Sequence, residues 1–120
     1  MSTFQSLKKN REFQSVYRAG RSRANRLFIM FVLDNGLEDN RVGISVSKKV
    51  GNSVVRHRVV RKVREIFRLH WEDVRKGQDI VVVARPSANA SDYTECESAV
   101  IHLLKLHHLY LEDAGQVSRQ

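Results

Sequence analysis

Between Asn52 and about Trp71, apolar residues return every three or four positions: Val55, Val59, Val63, Ile66 and Phe67. Stepped at about 100° per residue, these five fall on one side of a helix. Such a helix draws most of its stability from burying that side, so the chain must supply an apolar surface for it. β-branched runs can do so. Leu27 to Leu33 is an unbroken apolar run, the pattern of a strand covered on both faces. Asp79 to Ala84 is a second β-branched run, closed by Arg85-Pro86. Between them, Arg41 to Ser47 alternates, with Val42, Ile44 and Val46 on one face and Gly43, Ser45 and Ser47 on the other. The apolar face belongs to a core. The other is paved with small side chains, so something large can lie on it.

The remaining segments read more simply. Asn10 can cap a first helix carrying Phe13, Val16 and Tyr17, which Gly20 would end in a left-handed conformation. Asp34 to Asn40 is turn chemistry, and Gly77 closes the connection after the second helix. Ser91 can cap a last helix whose apolar side holds Cys96, Ala99, Val100, Leu103, Leu106 and Tyr110. Its acidic residues Asp92, Glu95 and Glu97 come early, and Lys105, His107 and His108 come late, which suits the helix dipole. With 120 residues and no repeat, the chain reads as a single domain over 1–120, with a structured core of about 7–111 and a loose tail at 112–120.

Charge narrows the function. Lys and Arg number 21 against 13 Asp and Glu, a formal net charge of +8. An excess of that size in one small domain favours a polyanionic partner. No apolar run is long enough to span a bilayer, and Met1 to Lys9 lacks the apolar stretch of a signal peptide. No amphipathic anchor or lipidation motif offers a membrane role, so a cytoplasmic location is expected. Cys96 is the single cysteine, which excludes an internal disulfide and a zinc site built from cysteines.

The outer face of the 52–71 helix carries most of the functional signal. His57, Arg61, Arg64 and Arg68 form a stripe, flanked by Arg58 and Glu65, while Lys62 lies away from it. A solvated face would suit any basic protein. However, Arg56 and Arg58 occupy the opening turn, where the helix dipole disfavours a cation by about 0.3–1 kcal/mol. The charges are also nearly all arginine, whose planar fork matches phosphate, rather than a solubilising Glu/Lys mixture. Contact with RNA or DNA explains both features.

Covalent chemistry finds little support. His102, His107 and His108 have no zinc-protease spacing and read as surface residues. Asp34, Glu38 and Asp39 belong to a turn rather than to a two-metal centre. Cys96 reads as a small core residue, and Val50-Gly51-Asn52-Ser53 lacks the other parts of a phosphate-binding loop. No catalytic side chain, metal ligand or small-molecule substrate is expected.

The chain resembles the protein subunit of bacterial ribonuclease P. The likeness runs from about Leu7 to Tyr110: Leu7-Lys8-Lys9-Asn10 with Phe13 and Tyr17; Ala24-Asn25-Arg26; Arg41 through Asn52; Arg61-Lys62-Val63-Arg64-Glu65; and Asp79 to Arg85. The family's Arg-Asn-Arg motif stands here as Arg56-His57-Arg58. The resemblance implies a single-domain α+β sandwich of order αβββαβα, like domain 2 of ribosomal protein S5. Its extra short strand would fall near Ser22 to Asn25, and its βαβ crossover would be left-handed, against the usual rule. It further implies a protein that binds no cofactor alone and assists a catalytic RNA, with Mg²⁺ in the RNA-containing holoenzyme. That RNA removes the 5′ leader of precursor tRNA by hydrolysis. Arg56, His57, Arg58, Arg61, Lys62, Arg64 and Arg68 would lie against the catalytic RNA. Phe13, Tyr17, Ser45, Ser47, Lys48 and Lys49 would form a cleft for the leader. By spacing alone, Phe13 and Tyr17 equally suit the core side of an amphipathic helix. A structural RNA-binding protein, such as a ribosomal component of related fold, is the alternative from another class.

Overall fold

The computed structural model describes residues 5–111; the tail expected at 112–120 lies outside the described residues. Three helices and four strands follow in the order α1 (Asn10–Ala19), β1 (Arg21–Ala24), β2 (Phe28–Asp34), β3 (Arg41–Ser45), α2 (Ser53–Leu69), β4 (Gln78–Ala84) and α3 (Tyr93–Leu106). The sheet order is β1-β2-β4-β3. β2 pairs antiparallel with β1 and β4, whereas β3 and β4 are parallel neighbours joined through α2. The short strand implied by resemblance is β1. Among the described residues, no helix is long and apolar enough to cross a membrane.

Each face of the sheet has its own core. On one face Phe28, Met30, Val32, Val42, Ile80 and Val82 pack with Val59, Val63, Ile66 and Phe67 of α2 and Cys96, Val100, Leu103 and Leu104 of α3. On the other, α1 contributes Val16, Phe13 and Tyr17 to a smaller cluster with Leu7, Phe31, Leu33, Val81 and Val83. The apolar run in β2 is thus explained: its alternate residues serve different helices. Arg41 ties α1 to the sheet. Its Nε and Nη2 donate to the buried Asp79 at 2.9 and 2.7 Å, and its Nη1 lies 3.3 Å from Glu12 of α1.

Several local expectations change. Lys9, not Asn10, is the N-cap of α1, because Glu12 folds back to accept the Lys8 and Lys9 N–H groups. Gly20 is extended (φ −80°) rather than left-handed; it is glycine because a Cβ would lie 2.5 Å from the Val16 carbonyl oxygen and 2.9 Å from that of Val32. Asp92, not Ser91, caps α3, in a reciprocal box with Glu95. The Ser91 hydroxyl instead donates back to Ser87 O. β3 ends at Ser45, so Val46 and Ser47 lie beyond the strand. α2 ends at Leu69, and Trp71 opens a short 3₁₀ turn, Trp71–Asp73. His107 is buried rather than on the surface, with Nε2 donating to the Met30 carbonyl at 3.0 Å.

Candidate nucleic-acid interface

The α2 face is positioned by what lies beneath it. Asn52 caps the helix by accepting the Val55 N–H, and the buried valines and Phe67 set its rotation on the sheet. His57, Arg58, Arg61, Arg64 and Arg68 consequently stand exposed on one side. They differ in how free they are to bind. His57, Arg58 and Arg61 make no side-chain hydrogen bond or ion pair among the described residues. Arg68 is held in a forked pair with Glu65, at 3.0 and 2.6 Å, which also lowers the Glu65 pKa. Arg64 donates to Ser6 Oγ at 3.3 Å. Arg56 is half-buried and donates to the Gly51 carbonyl at 3.2 Å. Lys62 donates to the Ser91 carbonyl at 2.7 Å, fastening α2 to the start of α3. Its place off the stripe thus gives it a structural bond.

The groove along this face also has a wall that helical periodicity in α2 could not disclose. Tyr93, the first residue of α3, lines it together with His57, Arg61 and Arg68. Its hydroxyl is buried and has no hydrogen-bond partner among the described residues.

The second candidate surface lies on the opposite face of the sheet. α1 runs across the strands. Its Glu12 and Phe13 sit at β3, its Tyr17 meets Phe31 of β2, and the chain then enters β1. A helix of ten residues is about 15 Å long, close to the roughly 14 Å spanned by three inter-strand spacings. It can therefore cover one band of the sheet but not every row on this side. The covered row is Ser22, Phe31, Val81 and Gly43. The adjacent row is Ala24, Ile29, Val83 and Ser45, none of them fully buried. That partly open row runs beside α1, where it would form the floor of a cleft.

The cleft residues expected from resemblance separate by role. The Phe13 ring seats on Gly43, where a Cβ would come within 2.5 Å of the ring. It is the large group that the small-residue face accommodates. Tyr17 packs edge-on to Phe31 at 5.0 Å between ring centroids and remains half-exposed. Ser45 lies on the floor. Ser47, Lys48 and Lys49 are exposed in the turn leaving β3, at one end of the row. Ile29, Phe31 and Val83 escaped the sequence reading. The one signal for them was a doubly apolar β2 with only a short helix available on its second side.

Among the described residues, no three His, Cys, Asp or Glu side chains are grouped so as to hold a metal ion. One surface presents the guanidinium groups of Arg58 and Arg61, unpaired among the described residues; the other presents Tyr17 beside a row of small and aliphatic side chains.

Comparison with known proteins places this geometry. The ribonuclease P family model matches residues 1–107. A ribonuclease P protein component from Alkaliphilus metalliredigens is 50% identical over 105 residues, covering 88% of this chain and 95% of the relative. One from Clostridium botulinum is 49% identical over 105 residues, covering 87% and 95%. Among solved structures, the Staphylococcus aureus RNase P protein superposes with a TM-score of 0.84 at 36% identity, over 90% of this chain and 99% of that one. The Thermotoga maritima RNase P protein does so with a TM-score of 0.78 at 32% identity, over 84% and 96%. The chain belongs to the bacterial ribonuclease P protein component family, whose role is tRNA 5′ processing.

Proposed function

We propose that α2 docks on the catalytic RNA while the open row beside α1 receives the single-stranded 5′ leader of precursor tRNA. The observation that carries this reading is the partly open row Ala24–Ile29–Val83–Ser45 beside the one Tyr17 covers, on the sheet face opposite α2. Aromatic rings stack on unpaired bases with little sequence preference, which suits leaders of varied sequence. His57, Arg58 and Arg61 offer donors that no intramolecular acceptor among the described residues occupies, and phosphate oxygens match them. On this reading the protein is the non-catalytic component of an endoribonuclease. Hydrolysis of the phosphodiester is the work of the RNA, and Mg²⁺ serves the RNA-containing holoenzyme rather than a site on this chain. The ribonucleoprotein acts in the cytoplasm.

The test is binding and cleavage by holoenzyme assembled with the cognate RNA. Tyr17→Ala removes one stacking surface worth about 1–3 kcal/mol, so precursor binding should weaken by about 5- to 150-fold. Mature tRNA, which has no leader, should bind nearly as before, and protein without RNA should release no leader. Equal losses for precursor and mature tRNA, or a matching loss of thermal stability, would return Tyr17 to the core and remove the cleft.

A further inference from the structure

The open row does not end at the sheet. It crosses all four strands, from Ser45 on β3 to Ala24 on β1. At its β3 end stand Lys48 and Lys49, leading into the α2 arginine helix. At its β1 end stands an edge strand whose four residues are all exposed. Arg21 and Arg23 belong to this strand, and exposed Arg26 follows two residues after its end. Alternation sends the Arg21 and Arg23 side chains around the edge toward α3, the face opposite Ser22 and Ala24. Their place is corroborated by His107, whose protonated form both arginines disfavour. None of the three arginines has an ion pair or side-chain hydrogen bond among the described residues.

A sheet edge needs some charge to discourage pairing with other chains, and lysine serves that end well. Three arginines without a single acidic partner go further. They concentrate positive potential where a strand lying along the row would leave the protein.

We infer that the β1 edge is a distal leader site, in which Arg21, Arg23 and Arg26 bind backbone phosphates of leader nucleotides upstream of those held in the cleft. The inference rests on the leader-cleft reading and extends it: the row is the track, and the arginines are its far end. The α2 side of the row faces the catalytic RNA, so the nucleotides nearest the scissile bond lie at the β3 end. Upstream nucleotides therefore reach β1. A leader too short to run from the scissile bond along the whole row never meets the arginines. A longer one gains affinity from them, by charge and without sequence preference.

The experiment uses assembled holoenzyme and three RNAs: mature tRNA, a precursor with a leader of about 4 nucleotides, and one of about 16, the limits of ordinary single-strand site sizes. The protein variant is Arg21→Ala/Arg23→Ala/Arg26→Ala. It should bind the long-leader precursor more weakly and leave the other two unchanged. The salt dependence for the long leader should flatten by about 0.7 in slope per lost contact. Replacing the same three residues by Lys should restore most of the long-leader advantage. Loss shared equally by all three RNAs would mean that the edge touches the catalytic RNA or the tRNA body, and no loss would leave it a solvated edge; either result overturns the proposal. Tyr17→Ala is measured with the same RNAs to test the cleft separately. If it spares both precursors, the cleft reading fails, while a loss confined to the long leader in the arginine variant still supports the β1 contact.

Discussion

His107 shows how one side chain reports on the assembly of distant segments. It closes α3, where a basic residue suits the helix dipole, and by that argument alone it belongs on the surface. Instead it is buried, with Nε2 bonded to the carbonyl of Met30, 77 positions away in sequence. Burial lowers its pKa below the ordinary 6.5, and Arg21, Arg23 and His108 press in the same direction, against the opposing hydrogen bond to Met30. Below about pH 6.5 the unfolded chain takes up a proton that the folded one resists, so the unfolded state binds more protons there. Stability should therefore be fully present above that pH and decline as pH falls through it. His107→Gln keeps a donor for Met30 but cannot titrate. Denaturant unfolding from pH 8 to pH 5 should show a flatter profile for the variant. Parallel profiles would mean that His107 is not the group responsible.

At the scale of elements, what could be read in advance was whatever depends on one segment alone. The arginine stripe needs only the phase of a helix, and the valines of α2 supply that phase. β3 needs only alternation, which announced a face able to take a large group. Which group it takes is a matter of packing between elements. Phe13, 30 residues earlier, lies on Gly43, and nothing local to either residue says so. Helix caps behaved similarly: Lys9 and Asp92 won over Asn10 and Ser91 because Glu12 and Glu95 lie three positions on and can reach back. The contact at Gly43 is testable. Gly43→Ala places a methyl 2.5 Å from Phe13 Cζ and 3.2 Å from Leu7 Cβ, so the ring must shift. Overpacking of this kind costs about 1–3 kcal/mol. Gly43→Ala/Phe13→Leu should recover part of that loss in denaturant unfolding. If the double variant is as unstable as the sum of the two single ones, the clash is not with the ring.

The leader row is a property of the whole molecule, because it exists only when β1, β2, β4 and β3 pair in their observed register. A shift of one residue in any pair would turn one of these row residues to the other face. This is why the α2 surface was legible and most of the cleft floor was not. The same architecture separates the two surfaces, with α1 on one face of the sheet and α2 on the other. The separation predicts independence. Arg61→Ala should lower affinity for the catalytic RNA and reduce its salt slope by up to about 0.9, one phosphate contact's worth, without changing the preference for precursor over mature tRNA once the RNA is saturated with protein. Tyr17→Ala should reduce that preference and leave affinity for the catalytic RNA unchanged. Because distant sites with no shared partner add to within about 0.3–0.5 kcal/mol, the double variant should show both losses at their single-variant sizes. A coupling well beyond that, measured by a cycle over the four proteins, would show that the sheet transmits strain from one RNA surface to the other. The two faces would then act as one site rather than as two joined by a rigid spacer.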